Sequence, residues 1–157
     1  MGVRYTVTVS FLALTIAYGA TLFAGWSMAR AVPGVATTEQ TSVLARSLAF
    51  AIIGWPIWAI HWRWARRDWS WDGTAPQLYL AFFTIMGLVA SAWIGMQLIS
   101  RLLEILFGSR PLDDDSISYL FGALWSTLVS LGLWMYHGAI WLRHRRRPAD
   151  ARQPSPR

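Results

Sequence analysis

The sequence predicts an all-α integral membrane protein, a four-helix bundle made of two helical hairpins in parallel repeat. Three observations carry this prediction. Of the 157 residues 55% are hydrophobic, 11 are Trp, none is Cys, and neither Lys nor Asn occurs. A soluble domain of this size rarely hides so much apolar surface, whereas lipid accepts it. The apolar residues gather into four runs, each at least as long as the roughly 20 residues that a bilayer crossing requires. Finally, the pattern Gly54-Trp55-Pro56-Ile57-Trp58-Ala59-Ile60-His61-Trp62-Arg63-Trp64 in the second run returns in the fourth as Trp134-Met135-Tyr136-His137.

The first span is expected at about residues 5–29. Arg4 before it and Ala29-Arg30-Ala31 after it resemble a cleaved leader. The apolar run is too long for a leader's core, and it has a counterpart later in the chain, so a spanning helix is preferred. A polar connection follows, with Thr41 or Ser42 suited to cap the second span, expected at 43–64. Pro56 lies inside that span, removes one backbone hydrogen bond and predicts a kink about one turn before His61.

Asp72-Gly73 reads as a turn, and Thr74 with Pro76 as a helix start. The third span, expected at 77–107, comes to roughly 46 Å of helix at 1.5 Å per residue, more than the bilayer core of about 30 Å. Its last turns, from Arg101 to Phe107, are therefore expected to leave the membrane or bend along its surface, with Arg101 and Glu104 paired on one face. Gly108 fits a helix C-cap, and Pro111 blocks continuation. The acidic run Asp113-Asp114-Asp115 before Ser116 reads as an N-cap at a positive helix end, because three consecutive carboxylates do not converge on one ion unaided. The fourth span is expected at 117–142. A single transmembrane domain thus covers residues 1–147, and a disordered basic tail covers 148–157.

The net charge of +6 comes from Arg, placed directly after apolar runs at Arg63, Arg66, Arg67 and Arg143. That position suits lipid head groups and argues against nucleic acid. Counting Arg in the connections puts both termini in the cytoplasm, and the use of Arg in place of Lys points to a bacterial inner membrane. Trp58, Trp62, Trp64, Trp134 and Trp141 then read, with the four arginines, as a membrane-interface belt.

Placing His61 on His137 aligns Trp58 with Trp134, Ile57 with Leu133 and Pro56 with Gly132. Placing Tyr5 on Tyr79 aligns Ala13 with Gly87, Ala17 with Ser91 and Thr21 with Gly95. Each odd span therefore carries small residues at every fourth position, the spacing that lets helix backbones approach closely in lipid. Two hairpins of the same orientation imply a pseudo-twofold axis along the membrane normal.

These residues resemble an uncharacterised family of bacterial four-helix membrane domains, built from two hairpins whose second helix carries Trp and His followed by Arg. The resemblance spans roughly Tyr5 to Arg143 and rests on Trp58-Ala59-Ile60-His61-Trp62-Arg63-Trp64 and Trp134-Met135-Tyr136-His137; Gly138-Ala139 departs from the Trp-Arg pair of the first copy. It implies the fold and no activity.

His61 and His137 are the candidate cofactor-binding residues. Two neutral imidazoles at matching depth are suited to axial ligation of one haem b, with Arg63, Arg66 or Arg143 near its propionates; a chlorophyll-type magnesium is a weaker analogue. Against this stands the belt, in which both histidines hydrogen-bond to head groups, to a neighbouring helix carbonyl or to one another. Apart from Glu104 in the last turns of the third, the spans hold no acid, and they hold no serine beside a base and no phosphate-binding glycine loop, which argues against an enzyme. The expectation is a non-catalytic scaffold or accessory subunit of a larger membrane assembly, respiratory or photosynthetic, contacting lipids and other transmembrane helices. The alternative is a haem-b electron carrier.

Overall fold

A computed structural model describes residues 3–31, 38–68 and 73–150, which form four helices and, among the described residues, no strand. They are α1 (Val3–Ala31), α2 (Thr38–Asp68), α3 (Thr74–Leu106) and α4 (Asp114–Asp150). All four are long and apolar enough to cross a membrane. The chain is a multi-pass, all-α four-helix membrane protein.

α1, α2 and α4 outrun their apolar segments at both ends, and α3 at its start, because polar residues in the flanking turns continue the backbone ladder. α2 is continuous across Pro56. α3 stays one helix to Leu106, and its last turns are exposed at Leu102, Leu103 and Leu106. α4 takes in Pro148, where the sequence reading has already begun its tail; residues 151–157 of that tail lie outside the described residues. So do Asp72 of the expected turn and most of the connection before Thr41.

The α3–α4 connection is set by local chemistry. The Phe107 N–H donates to Leu103 O at 2.9 Å and the Gly108 N–H to Ile105 O at 3.1 Å, with Gly108 at φ +71°, a left-handed conformation that glycine adopts without a Cβ penalty. Glu104 pairs with Arg110 at 3.2 Å and with Arg101 at 3.8 Å, and the Arg101 guanidinium lies 4.5 Å over the Tyr119 ring of α4. Asp113 is the N-cap of α4: its carboxylate accepts the Ser116 N–H at 2.8 Å, and its carbonyl accepts the Ile117 N–H at 2.9 Å.

Hydrogen bonding from Ser116 holds the Asp113 carboxyl below the usual carboxylate range. A depressed acid stabilises the folded state above its unfolded pKa of about 3.9, and that contribution disappears as pH falls through the lower folded value. Asp113→Asn keeps a capping oxygen without a titrating proton. Acid titration of thermal unfolding should therefore show a drop below about pH 4 that is smaller in Asp113→Asn. Identical acid limbs would remove the carboxylate from the cap.

The helices pair as hairpins, α1 along α2 and α3 along α4, and the hairpins join mainly through α1 and α4. The backbones of α2 and α3, and of α2 and α4, stay apart. Two glycines set the close approaches. A Cβ on Gly54 would lie 2.9 Å from the Ala17 Cβ, and one on Gly87 would lie 2.8 Å from the Trp134 N and 3.0 Å from the Ser130 O. Between hairpins, Tyr18 Oη and Ser130 Oγ are hydrogen-bonded at 2.6 Å, the Trp125 Nε1–H donates to Thr21 O at 2.9 Å, and Trp26 meets the Tyr119 ring edge-on. The buried core runs through Leu14, Tyr18, Trp62, Ala65, Tyr79, Leu80, Phe83 and Leu133. Outward faces are strongly apolar, as at Ile52, Phe23, Val89 and Trp93, each more than half exposed.

Candidate functional site

The chemistry-bearing side chains collect where α2 and α4 carry their Trp-rich turns. On α2, positions 55, 58, 62 and 65 recur at helical spacing and face inward. Ala65 and Trp62 are buried, with Trp62 only 3% exposed, and Trp55 and Trp58 pack against the core. On α4 the matching inward stripe is Ser126, Ser130, Leu133 and His137, all buried.

His137 is fully buried within a box of aromatic rings from three helices. Its ring centroid lies 5.1 Å from Tyr136, 5.4 Å from Phe83, 5.8 Å from Tyr79, 6.0 Å from Trp62 and 6.2 Å from Trp58. The box is tied by two indole bonds: Trp58 Nε1–H donates to Tyr79 Oη at 2.9 Å, and Trp62 Nε1–H to Tyr136 Oη at 2.7 Å. Trp62 stacks on Tyr79 at 5.1 Å and on Trp58 at 6.2 Å. His137 Nδ1 is 3.0 Å from Leu133 O. A carbonyl only accepts, so that nitrogen carries the proton and Nε2 presents a lone pair. Nε2 is buried with no hydrogen-bond partner among the described residues.

His61 is placed differently. Its Nδ1 donates to Ile57 O at 2.9 Å, the same backward bond as in His137, but the ring sits on the outer side of α2 against Trp64 at 5.4 Å. The reason is angular: His61 is one residue, about 100° of helix, from the inward Trp62. The two histidines that the sequence aligns do not converge. One haem held between them needs both imidazoles on its iron, and here Trp58 and Trp62 fill the space on the α2 side of His137. The residues do not fit that group.

The belt divides likewise. Trp58 and Trp62 line the interior, and Trp141 packs against the core; Trp64, 45% exposed, remains outside, as do Arg63, Arg66, Arg67 and Arg143. The Trp134 backbone is the surface met by Gly87. Of the small-residue ridges, Ala13, Ala17, Gly87 and Ser91 are buried, and the Thr21 hydroxyl accepts the Trp55 Nε1–H at 2.9 Å. Gly95 is looser, with only the Thr127 methyl at 3.6 Å from a Cβ placed there. Tyr79, which the sequence marks only as the counterpart of Tyr5, and Phe83 are further members of the box. Their four-residue spacing at the start of α3, on the side of the bundle where α2 ends, is the signal that carries them.

Two clefts flank the Trp58–Tyr136 pair. One, of about 490 Å³, is apolar and lined by Tyr18, Thr21, Trp55, Trp125, Leu128 and Gly132 together with the box. The other, of about 730 Å³, is lined by Trp62, Arg63, Arg66 and Arg67. Among the described residues no three His, Asp or Glu side chains come together as a metal site.

The family model described as "Domain of unknown function (DUF5671)" matches residues 4–129, and the chain belongs to that family. The match covers α1, α2 and α3 and ends within α4, short of Trp134 and His137. No curated protein and no solved structure matches the chain.

Proposed function

We propose, with membership of this domain family as the premise, that the chain is a non-catalytic scaffold or accessory subunit of a larger membrane assembly. The observation that carries the reading is the outer face of α2. Only 11% of its spanning window is buried, against 28% to 33% in the other three helices. Its exposed residues include Phe50, Ile52, Ile53, Ile57 and Ile60. Beside it, Ala13 and Gly54 form the floor of a wholly apolar groove of about 340 Å³, rimmed by Leu12, Ile16, Phe50 and Ile53. Small floor residues between larger rims favour close seating of another transmembrane helix, since packing rather than apolar burial drives association in lipid.

The buried polar groups support the same reading. Ser130 bonds Tyr18, Thr21 accepts from Trp55, and Ser91 bonds Leu88 O, so these hydroxyls serve helix packing. Arg63, Arg66, Arg67 and Arg143 all lie at the C-terminal ends of the candidate spans of α2 and α4. They favour a bacterial inner membrane with both termini cytoplasmic. The two hairpins, with Trp58 aligned on Trp134, are read as an internal parallel repeat.

The native chain has no cysteine, so single-cysteine variants report one position each. Ile53→Cys in native membranes should crosslink to one membrane protein, or a second copy, at fixed stoichiometry. Val89→Cys, equally exposed on α3, should not. Absence of a discrete product from Ile53→Cys, or equal products from both, would count against a subunit docked on α2.

A further inference from the structure

We propose that the seam between α2 and α4 binds an anionic phospholipid, its phosphate among Arg63, Arg66 and Arg67 and an acyl chain in the apolar cleft beneath. The inference requires only that the chain sits in a bilayer and stands whether or not the scaffold reading does.

The seam exists because the backbones of α2 and α4 stay apart and only large side chains cross between them. Trp62 reaches Tyr136 by a 2.7 Å hydrogen bond, and Trp58 meets the Tyr136 ring edge-on at 5.9 Å. This bridge leaves the 730 Å³ cleft on one side and the 490 Å³ cleft on the other, with Trp58 and Tyr136 in the lining of both. Sequence order fixes their stacking. From Trp55 through Trp58 to Arg66, α2 climbs toward its polar end, roughly 16 Å at 1.5 Å per residue. α4 climbs the same way from Leu128 through Gly132 to Tyr136. The basic cleft therefore sits at head-group height, and the apolar one beneath it at acyl depth.

The upper cleft is lined by three guanidinium groups, those of Arg63, Arg66 and Arg67. Among the described residues the ion pairs are those of Glu104 with Arg101 and Arg110, at the far end of the bundle. Among the described residues no carboxylate pairs with Arg63, Arg66 or Arg67. Guanidinium groups offer forked N–H donors that match phosphate oxygens, and charge-assisted bonds of this kind are the strong ones. The rest of the lining, Trp58, Ala59, Ile60, Trp62 and Tyr136, carries no charge, and the indole N–H groups of Trp58 and Trp62 donate to Tyr79 and Tyr136. In the lower cleft a Cβ on Gly132 would meet nothing within 4 Å, so the helix surface there is left bare. A free anion would use the upper cleft alone and a neutral apolar molecule the lower alone. A phosphate on an acyl chain uses both.

The test uses the full chain extracted from vesicles of phosphatidylcholine with a minor share of phosphatidylglycerol, with lipids retained on the protein counted by native mass spectrometry. Phosphatidylglycerol should be retained several-fold above its share. The triple variant Arg63→Gln, Arg66→Gln, Arg67→Gln should lower that enrichment by about tenfold, the effect of losing some 1.4 kcal/mol of binding. The charge-matched triple Arg145→Gln, Arg146→Gln, Arg147→Gln should lower it less than about twofold. Gly132→Phe, whose Cβ meets nothing within 4 Å and whose ring is added to the lining of the lower cleft, should also lower it, and it keeps the test intact if the arginine triple fails to fold. Retention of both lipids in proportion to the vesicle, or an equal loss in the charge-matched triple, would reduce the site to general surface attraction and overturn the proposal. Displacement of the lipid by inorganic phosphate at similar concentration would make it an anion pocket and overturn the lipid assignment.

Discussion

Gly87→Ala is expected to destabilise the bundle, while Gly95→Ala, two turns along the same helix, is expected to be neutral or slightly stabilising. In an exposed helix interior, alanine in place of glycine gains up to about 1 kcal/mol of backbone propensity. At Gly95 the new methyl finds the Thr127 methyl at 3.6 Å, an ordinary contact, so that gain survives. At Gly87 it would lie 2.8 Å from the Trp134 N and 3.0 Å from the Ser130 O. Both are backbone atoms of α4 and yield only if the helix moves, taking Ser130 away from its 2.6 Å bond to Tyr18. Overpacking of this kind costs about 1–3 kcal/mol, and Gly87→Leu should prevent the α3–α4 hairpin from closing. Unfolding in mixed detergent micelles, followed by circular dichroism, measures the difference. Equal midpoints for Gly87→Ala and Gly95→Ala would show that α3 and α4 do not approach at Gly87.

That contrast marks where sequence reasoning reaches and where it stops. The four spans are legible because a run of apolar residues long enough for a bilayer is a local property, indifferent to what packs where. The caps at Gly108 and Asp113 are legible for the same reason, since one residue's backbone or side chain meets its own turn. The four-residue spacing of small residues on the odd spans is visible too, but not that its tight point is Gly87 rather than Gly95. Which face of α2 turns inward is hidden. In a lipid-exposed helix both faces are apolar, so periodicity does not separate Trp58 and Trp62, which enter the box, from His61 and Trp64, which stay outside. The alignment of His61 with His137 is a fact of sequence that the packing does not repeat. Tyr79 and Phe83 escape notice as box members because an aromatic pair on one helix face is ordinary until a buried imidazole lies against it.

His137 gives the sharpest test of what that box is for. His137→Ala removes a fully buried ring from contact with Tyr136, Phe83, Tyr79, Trp62 and Trp58. It should cost about 3 kcal/mol, the usual range for a large side chain cut to alanine in a packed interior. The loss is one of cavity rather than hydrogen bonding, since the only bond forfeited is the 3.0 Å contact to Leu133 O, a carbonyl already placed to serve the helix ladder. His137→Leu separates volume from chemistry. Leucine refills much of the space and removes Nε2, whose burial without a partner among the described residues costs about 1–3 kcal/mol. Against that stands the lost Nδ1–H bond, worth about 0.5–1.5 kcal/mol. The leucine variant should therefore match or exceed the parent in thermal stability in detergent. His61→Ala, on the outer side of α2, should fall within about 0.5 kcal/mol of it. If His137→Leu is instead as damaging as His137→Ala, the bare Nε2 has a role that packing does not supply, and the box holds the imidazole for its lone pair rather than for its shape.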